Sequence, residues 1–133
     1  MAISGLVIKV GSTAIGAPTG GSDVTFTDDK SAKDGVHTID ASDVNYFTRK
    51  SVTYRSRQPK KLADGTIQKA KRVGQLSIPF TKADGTLTQS IVRCELEIDP
   101  EITEANIVSY LIAGAQMMTL AGSASFWKTG SMA

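Results

Sequence analysis

Between Phe47 and Ile98 the chain carries three long stretches whose side chains alternate in polarity, joined by short polar connections. Phe47 to Gln58 is the first, and Pro59, which has no N–H to give a ladder, stops it. Thr66 to Phe80 is the second and Leu87 to Ile98 the third. The connections contain Asp64-Gly65 and Asp84-Gly85, pairs that accept the positive φ of tight turns. A period of two sends successive side chains to opposite faces of a strand. The segment therefore predicts an antiparallel sheet with two chemically distinct faces.

The flanks complete the pattern. Leu6, Ile8 and Val10 stand at spacing two, and Asp23 to Thr27 alternates again. Between them, Gly11 to Gly21 is rich in Gly, Pro, Ser and Thr and reads as a loop. An N-terminal hairpin over about residues 1–30 follows. Asp34-Gly35 is a further turn pair, and Val36 to Ile39 is a short strand that opens a sheet over about 36–98. The tetrapeptide Ala-Asp-Gly-Thr occurs at 63–66 and 83–86, a match of turn chemistry too short to be a repeat.

The period then changes. Ile102, Ala105, Val108, Leu111, Ile112, Ala115 and Met118 recur at spacings of three and four, which predicts an amphipathic helix. Asp99 suits its N-cap and Pro100 its first position. Gly122 is a candidate break, with a short helical turn over Ala121 to Lys128 anchored by Phe126 and Trp127. Helices are thus expected over about 100–128. Strands first and helices last make an α+β domain, one antiparallel β-meander with its helices on one face. At 133 residues the chain fits one domain.

The sheet faces differ in chemistry. Arg49, Ser51, Thr53, Arg55 and Arg57 share one parity, with Val52 and Tyr54 on the other. Lys69, Lys71, Gln75 and Ser77 share a face interrupted by Val73, opposed by Leu76 and Ile78. Arg93, Glu95 and Glu97 alternate with Val92, Cys94, Leu96 and Ile98. Arg72 and Lys50 fall on the apolar parity. Either they snorkel at strand ends or a bulge near Gly74 shifts the register.

The net charge of +2 conceals a segregation. Arg49 to Arg72 holds nine of the fifteen basic residues and one acid, Asp64, for a local charge of +8. The remainder of the chain is at −6. A polyanion fits such a strip, and so does a solvated charged hairpin. Guanidinium and ammonium groups among small hydroxyls and amides favour a nucleic acid, with cations for phosphate and hydroxyls for sugars and exposed bases.

Other classes find little support. His37 is the single histidine and Cys94 the single cysteine, so no internal disulfide or zinc cluster is available. His37 reads as a structural or surface residue and Cys94 as a buried small apolar one. The glycines at 11, 16, 20 and 21 lack phosphate-loop and dinucleotide spacing. Glu95 and Glu97 read as charge partners of their basic neighbours, not as an acid/base pair. No run of eighteen apolar residues and no signal peptide is apparent, so no membrane partner and an intracellular origin are expected. The reading is a non-enzyme without cofactor, metal or small-molecule substrate.

The order of elements resembles the coat proteins of the single-stranded RNA bacteriophages, the leviviruses. The likeness is carried by Ser51-Val52-Thr53-Tyr54-Arg55-Ser56-Arg57-Gln58, by Gln75-Leu76-Ser77-Ile78-Pro79, and by Arg93-Cys94-Glu95-Leu96-Glu97-Ile98 leading into a helix. That resemblance implies an N-terminal hairpin, a five-stranded meander and two C-terminal helices. It implies a homodimer with one ten-stranded sheet and interlocked helices, assembling into an icosahedral shell, the virion capsid. It also implies synthesis in the cytoplasm of a bacterial host, single-stranded RNA on the inner sheet face and, in some members, repression of translation. The matching RNA-contact positions are Ser51, Thr53, Arg55 and Arg57, then Lys71, Val73, Gln75 and Ser77, then Ile91, Arg93 and Glu95. Arg49 and Lys69 extend the set by charge and parity. A flexible loop over Thr81 to Thr88 would lie at the shell's symmetry axes. Val73 and Ile91 depart from the family pattern in being apolar, and no aromatic stands at the base-stacking position. A stand-alone RNA-binding regulatory dimer without a shell is the alternative, followed by a structural subunit that binds no nucleic acid.

Overall fold

The structure, a computed structural model, describes residues 5–11, 20–119 and 121–131. It divides into two compact units, Met1–Glu97 and Ile98–Ala133.

The first unit is built on one six-stranded antiparallel sheet. Its strands are β1 (Leu6–Val10), β2 (Ser22–Asp28), β3 (Val36–Asp40), β4 (Ser51–Arg57), β7 (Ala70–Thr81) and β8 (Leu87–Ile98), in that spatial order. Two short strands, β5 (Lys60–Lys61) and β6 (Ile67–Gln68), form a separate ribbon between β4 and β7. The N-terminal hairpin is not detached from the meander. β2 pairs with β3 through Phe26↔Asp40, Thr27↔Ile39 and Asp28↔Thr38. The segment around residues 12–19 lies outside the described residues.

The core lies on the apolar parity of this sheet. Val24, Phe26 and Val52 are buried together, with Leu6, Ile8, Val10, Tyr54 and Leu76 packed against them. Phe26 is fully enclosed, and burying such a ring stabilises by roughly 1.5–3 kcal/mol. Thr38 is equally enclosed, and its hydroxyl donates to the Val52 carbonyl at 3.0 Å, so the polar atom is satisfied.

Two glycines fix the strand spacing. Gly35 enters β3 at φ 132°, and a Cβ there would stand 2.1 Å from the Tyr54 carbonyl oxygen. Gly74 lies opposite Tyr54, whose ring fills the space a side chain would take, with Cε1 at 3.3 Å from the Cβ position.

The alternation located every long strand, with several corrections. The first strand begins at Ser51 rather than Phe47, because the Asn45 carbonyl accepts from the N–H groups of Thr48 and Arg49 and closes a turn. The second is broken at Lys69 between β6 and β7. No bulge occurs at Gly74, since the β4–β7 register runs unbroken from Ser51↔Ser77 to Arg57↔Lys71. Arg72 instead projects to solvent opposite the exposed Ser56. Ile78-Pro79-Phe80 lies within β7, and the expected flexible loop contracts to a tight turn over residues 82–86.

That turn repeats the one over residues 62–66. Lys82 N–H donates to Thr86 O at 2.8 Å and Gly85 N–H to Lys82 O at 3.0 Å. Leu62, Thr66 and Gly65 reproduce both bonds at the same distances. The Asp64 and Asp84 carboxylates accept from the backbone and hydroxyl of Thr66 and Thr86. The twice-used tetrapeptide is one turn used twice.

The second unit holds α1 (Glu104–Thr119), a 3₁₀ turn (Ala121–Ser123) and α2 (Ala124–Thr129). Asp99 is not the N-cap of α1. Its carboxylate accepts from Glu101 N–H and its carbonyl from Ile102 N–H, which closes a turn around Pro100. Thr103 caps α1 instead, its Oγ1 accepting from Asn106 N–H at 3.3 Å. The break near Gly122 and the short second helix are as expected. Phe126 and Trp127 meet edge to face at 4.9 Å, and Gly130 closes α2 in the left-handed region. No residue of α1 is buried. None of the described helices is long and apolar enough to cross a membrane.

Candidate nucleic-acid interface

Strand register decides which polar side chains meet. β4 and β7 pair with Ser51↔Ser77, Thr53↔Gln75, Arg55↔Val73 and Arg57↔Lys71. Every residue of this set was assigned to one parity, and the pairing puts them on one face. β8 adds its own polar parity through side chains. Arg93 donates from Nε and Nη2 to Gln75 Oε1 at 3.2 and 3.0 Å. Ser77 Oγ donates to Gln89 Oε1 at 3.2 Å. Lys71 Nζ and Glu95 Oε1 form an ion pair.

The three strands enclose an open groove of about 400 Å³, lined by Thr53, Arg55, Lys71, Val73, Gln75, Arg93 and Glu95. Seven of the sequence-predicted positions converge here. Three are cations and one a carboxylate. The Arg55 guanidinium has no hydrogen-bond or ion-pair partner among the described residues. Val73 adds an apolar side chain to the groove lining.

The remaining predicted residues lie around it. Ser51 and Ser77 extend the face toward one end, with Ser77 buried. Arg57 borders the other end, its Nη2 donating to the Lys69 carbonyl at 3.3 Å. Lys69 itself is exposed between β6 and β7. Ile91 is half exposed on β8. Arg49 stands apart from the groove lining, its guanidinium 5.0 Å from the centre of the Tyr46 ring.

Sequence reasoning passed over Gln89, although it shares parity with Ile91 and Arg93 and alternation alone would have found it. It also expected Cys94 to be buried, and the thiol is exposed. β8 is the last strand of the sheet, and Val92, on the same parity as Cys94, is exposed as well.

His37 is structural in its surroundings. Its Nδ1 lies 2.7 Å from Asp29 Oδ2 and 3.3 Å from Ser31 Oγ. Both contacts fall on the same ring nitrogen, so the three cannot relay a proton from serine to carboxylate. Burial pushes the Asp29 carboxyl up, but hydrogen bonds from Ser31 and His37 outweigh it and hold the group below the ordinary range.

Solved structures supply the comparison. The virus-like particle of bacteriophage GQ-907 is built from a chain 34% identical to this one, matched over 99% of this chain and 100% of that one with a TM-score of 0.76. The virus-like particle of Beihai levi-like virus 21 is 15% identical with a TM-score of 0.75, covering 100% of this chain and 98% of that one. That of bacteriophage NT-214 is 10% identical with a TM-score of 0.66, covering 100% and 99%. The last two share the fold. No protein-family model and no curated protein matches the chain. An end-to-end match at 34% identity, on a six-stranded antiparallel sheet followed by C-terminal helices, places the chain in the coat-protein family of the single-stranded RNA bacteriophages, as a structural protein of the virion capsid.

Proposed function

We propose that this coat protein holds single-stranded genomic RNA on the polar face of β4, β7 and β8. The observation that carries the reading is the groove that gathers Arg55, Lys71 and Arg93 with Thr53 and Gln75. Cations at strand spacing neutralise successive phosphates, and the hydroxyl and amide groups among them contact sugars and bases. Specificity for one hairpin, and with it repression of translation, would draw on the same groove. The site of synthesis is the cytoplasm of the bacterial host.

Dimerisation is part of the proposal. β8 ends the sheet with twelve residues, and its outer N–H and C=O groups offer a template for a second copy. The exposed Val108, Leu111 and Ile112 of α1 share one helix face and form an apolar surface that a second subunit would cover. Pairing of two β8 edges would make one continuous sheet with a double-width polar face. Family membership favours this shell-forming dimer over a regulatory dimer without a shell.

The test is expression of the chain in bacteria, followed by size-exclusion chromatography, negative-stain microscopy and nuclease treatment. Closed particles containing nuclease-protected RNA are expected. Particles that assemble empty and bind no RNA at low salt would overturn the RNA reading while leaving the capsid assignment intact.

A further inference from the structure

The turn between β3 and β4 presents Tyr46 and Phe47 to solvent at 73% and 68% exposure. Isolated apolar residues on a surface need no explanation. This pair differs because the backbone beneath it is fixed. Asn45 N–H donates to Asp43 Oδ1 at 2.9 Å, Phe47 N–H to Asn45 Oδ1 at 3.0 Å, and Thr48 Oγ1 to Asp43 Oδ2 at 2.9 Å. The rings stand edge to face, with centroids 5.6 Å apart. Arg49 lies against the Tyr46 face.

The position of the pair is informative. Tyr46 and Phe47 border a hollow of about 180 Å³ with Leu87, Thr88 and Gln89. Gln89 is the residue whose amide accepts from Ser77, so the hollow adjoins the polar face of β7 and β8. Along β8, Gln89 precedes Arg93 by four residues, or about 13 Å of strand. A strand of RNA in the groove would reach the aromatic pair within a few nucleotides.

We propose that Tyr46 and Phe47 form a stacking platform for an unpaired base of single-stranded RNA, with Arg49 holding the adjoining phosphate. The inference rests on the RNA reading of the groove and adds what the strands lack, a π-face beside the cations. Every base offers a face to stack, so the contact is tolerant of sequence and demands only that the base be unpaired. A cation next to an aromatic ring suits a nucleotide, whose base and phosphate it meets together.

The test uses the full chain as dimers released from particles, with three RNA probes of equal length: oligoadenylate, its abasic counterpart and a duplex. Wild type should bind oligoadenylate more tightly than the abasic strand by about fivefold or more. The double variant Tyr46→Leu, Phe47→Leu keeps apolar bulk and should lose that preference while retaining abasic binding. Ultraviolet crosslinking of oligoadenylate to wild type should place an adduct on Tyr46 or Phe47, a readout independent of any variant's folding. Adducts elsewhere with an unchanged preference in the double variant would overturn the platform. So would a double variant that binds RNA normally but no longer assembles, which would make the pair a contact between copies. If wild type bound none of the probes, the RNA reading itself would fail, a result distinct from losing the base preference alone.

Discussion

Lys71 Nζ and Glu95 Oε1 meet at 2.6 Å in the wall of the polar groove, each side chain about one-third exposed at 31% and 40%. A pair so open to solvent adds only about 0–1 kcal/mol to stability. Its larger effect is on the groove, where one of three cations is already neutralised. Glu95→Gln should free Lys71 and raise affinity for single-stranded RNA. The slope of log K against log salt should steepen by about 0.7, the increment for one more phosphate. Filter binding of oligoadenylate across a salt series measures both, and an unchanged slope would remove Lys71 from the phosphate contacts.

Arg55 and Arg93 should differ in kind. The Arg55 side chain is unpaired among the described residues, whereas Arg93 is oriented by a forked contact with Gln75. Arg55→Ala should reduce the salt slope by about 0.7 with little effect on which RNA is preferred. Gln75→Ala leaves Arg93 charged but unheld, and should weaken binding without changing the slope. The same filter-binding series distinguishes the two.

Gly35→Ala should be among the most damaging single substitutions in the sheet. The added Cβ would meet the Tyr54 carbonyl oxygen at 2.1 Å, at a φ of 132° that side chains avoid. Backbone strain of this kind costs about 1–3 kcal/mol before the displaced β3–β4 ladder is counted. Chemical denaturation of the purified protein should show a midpoint well below that of wild type. A wild-type midpoint would mean that the strand can shift freely.

The two repeated turns carry a pH dependence. Hydrogen bonds from the Thr66 and Thr86 hydroxyls, then from their backbone N–H groups, hold Asp64 and Asp84 below the ordinary carboxylate range. A depressed folded pKa stabilises above the unfolded value, near pH 4, and that contribution is lost as pH falls through the folded one. Thr86→Val removes the largest cause at Asp84. Its carboxyl should then titrate at higher pH, while Asp64 in the other turn stays put as the internal control. Carboxyl carbon NMR titration reads both.

Leu111→Glu with Ile112→Glu tests the helix surface. Both side chains are exposed in the single chain, so the substitutions should leave the sheet folded. If α1 is covered by a second copy, the variant should run as a monomer and form no particles. Particles of normal yield would show that this surface is not part of the assembly.

The sequence exposed the strands because alternation and Asp-Gly pairs are local signals, and the faces of β4, β7 and β8 followed directly. It misjudged what depends on competition between nearby groups. Asp99 had every mark of an N-cap, but its carbonyl and carboxylate are taken by Ile102 and Glu101, and Thr103 caps α1. Phe47 continued an apolar–polar alternation, yet Asp43 and Asn45 capture the local backbone and turn it out of the sheet. Cys94 had the parity of a core residue, but parity gives a face and not its cover. Gly74 resembled a bulge until the Tyr54 ring was seen to lie over it.

The sixteen residues of α1, none of them buried, have a further meaning. Helices of this length are marginal in water by themselves, and most draw their stability from a packed face. If that face is completed by another copy, subunit concentration becomes a folding variable. Dilution would then act on this protein as a denaturant does on others, and assembling the capsid would be the last step of folding its parts.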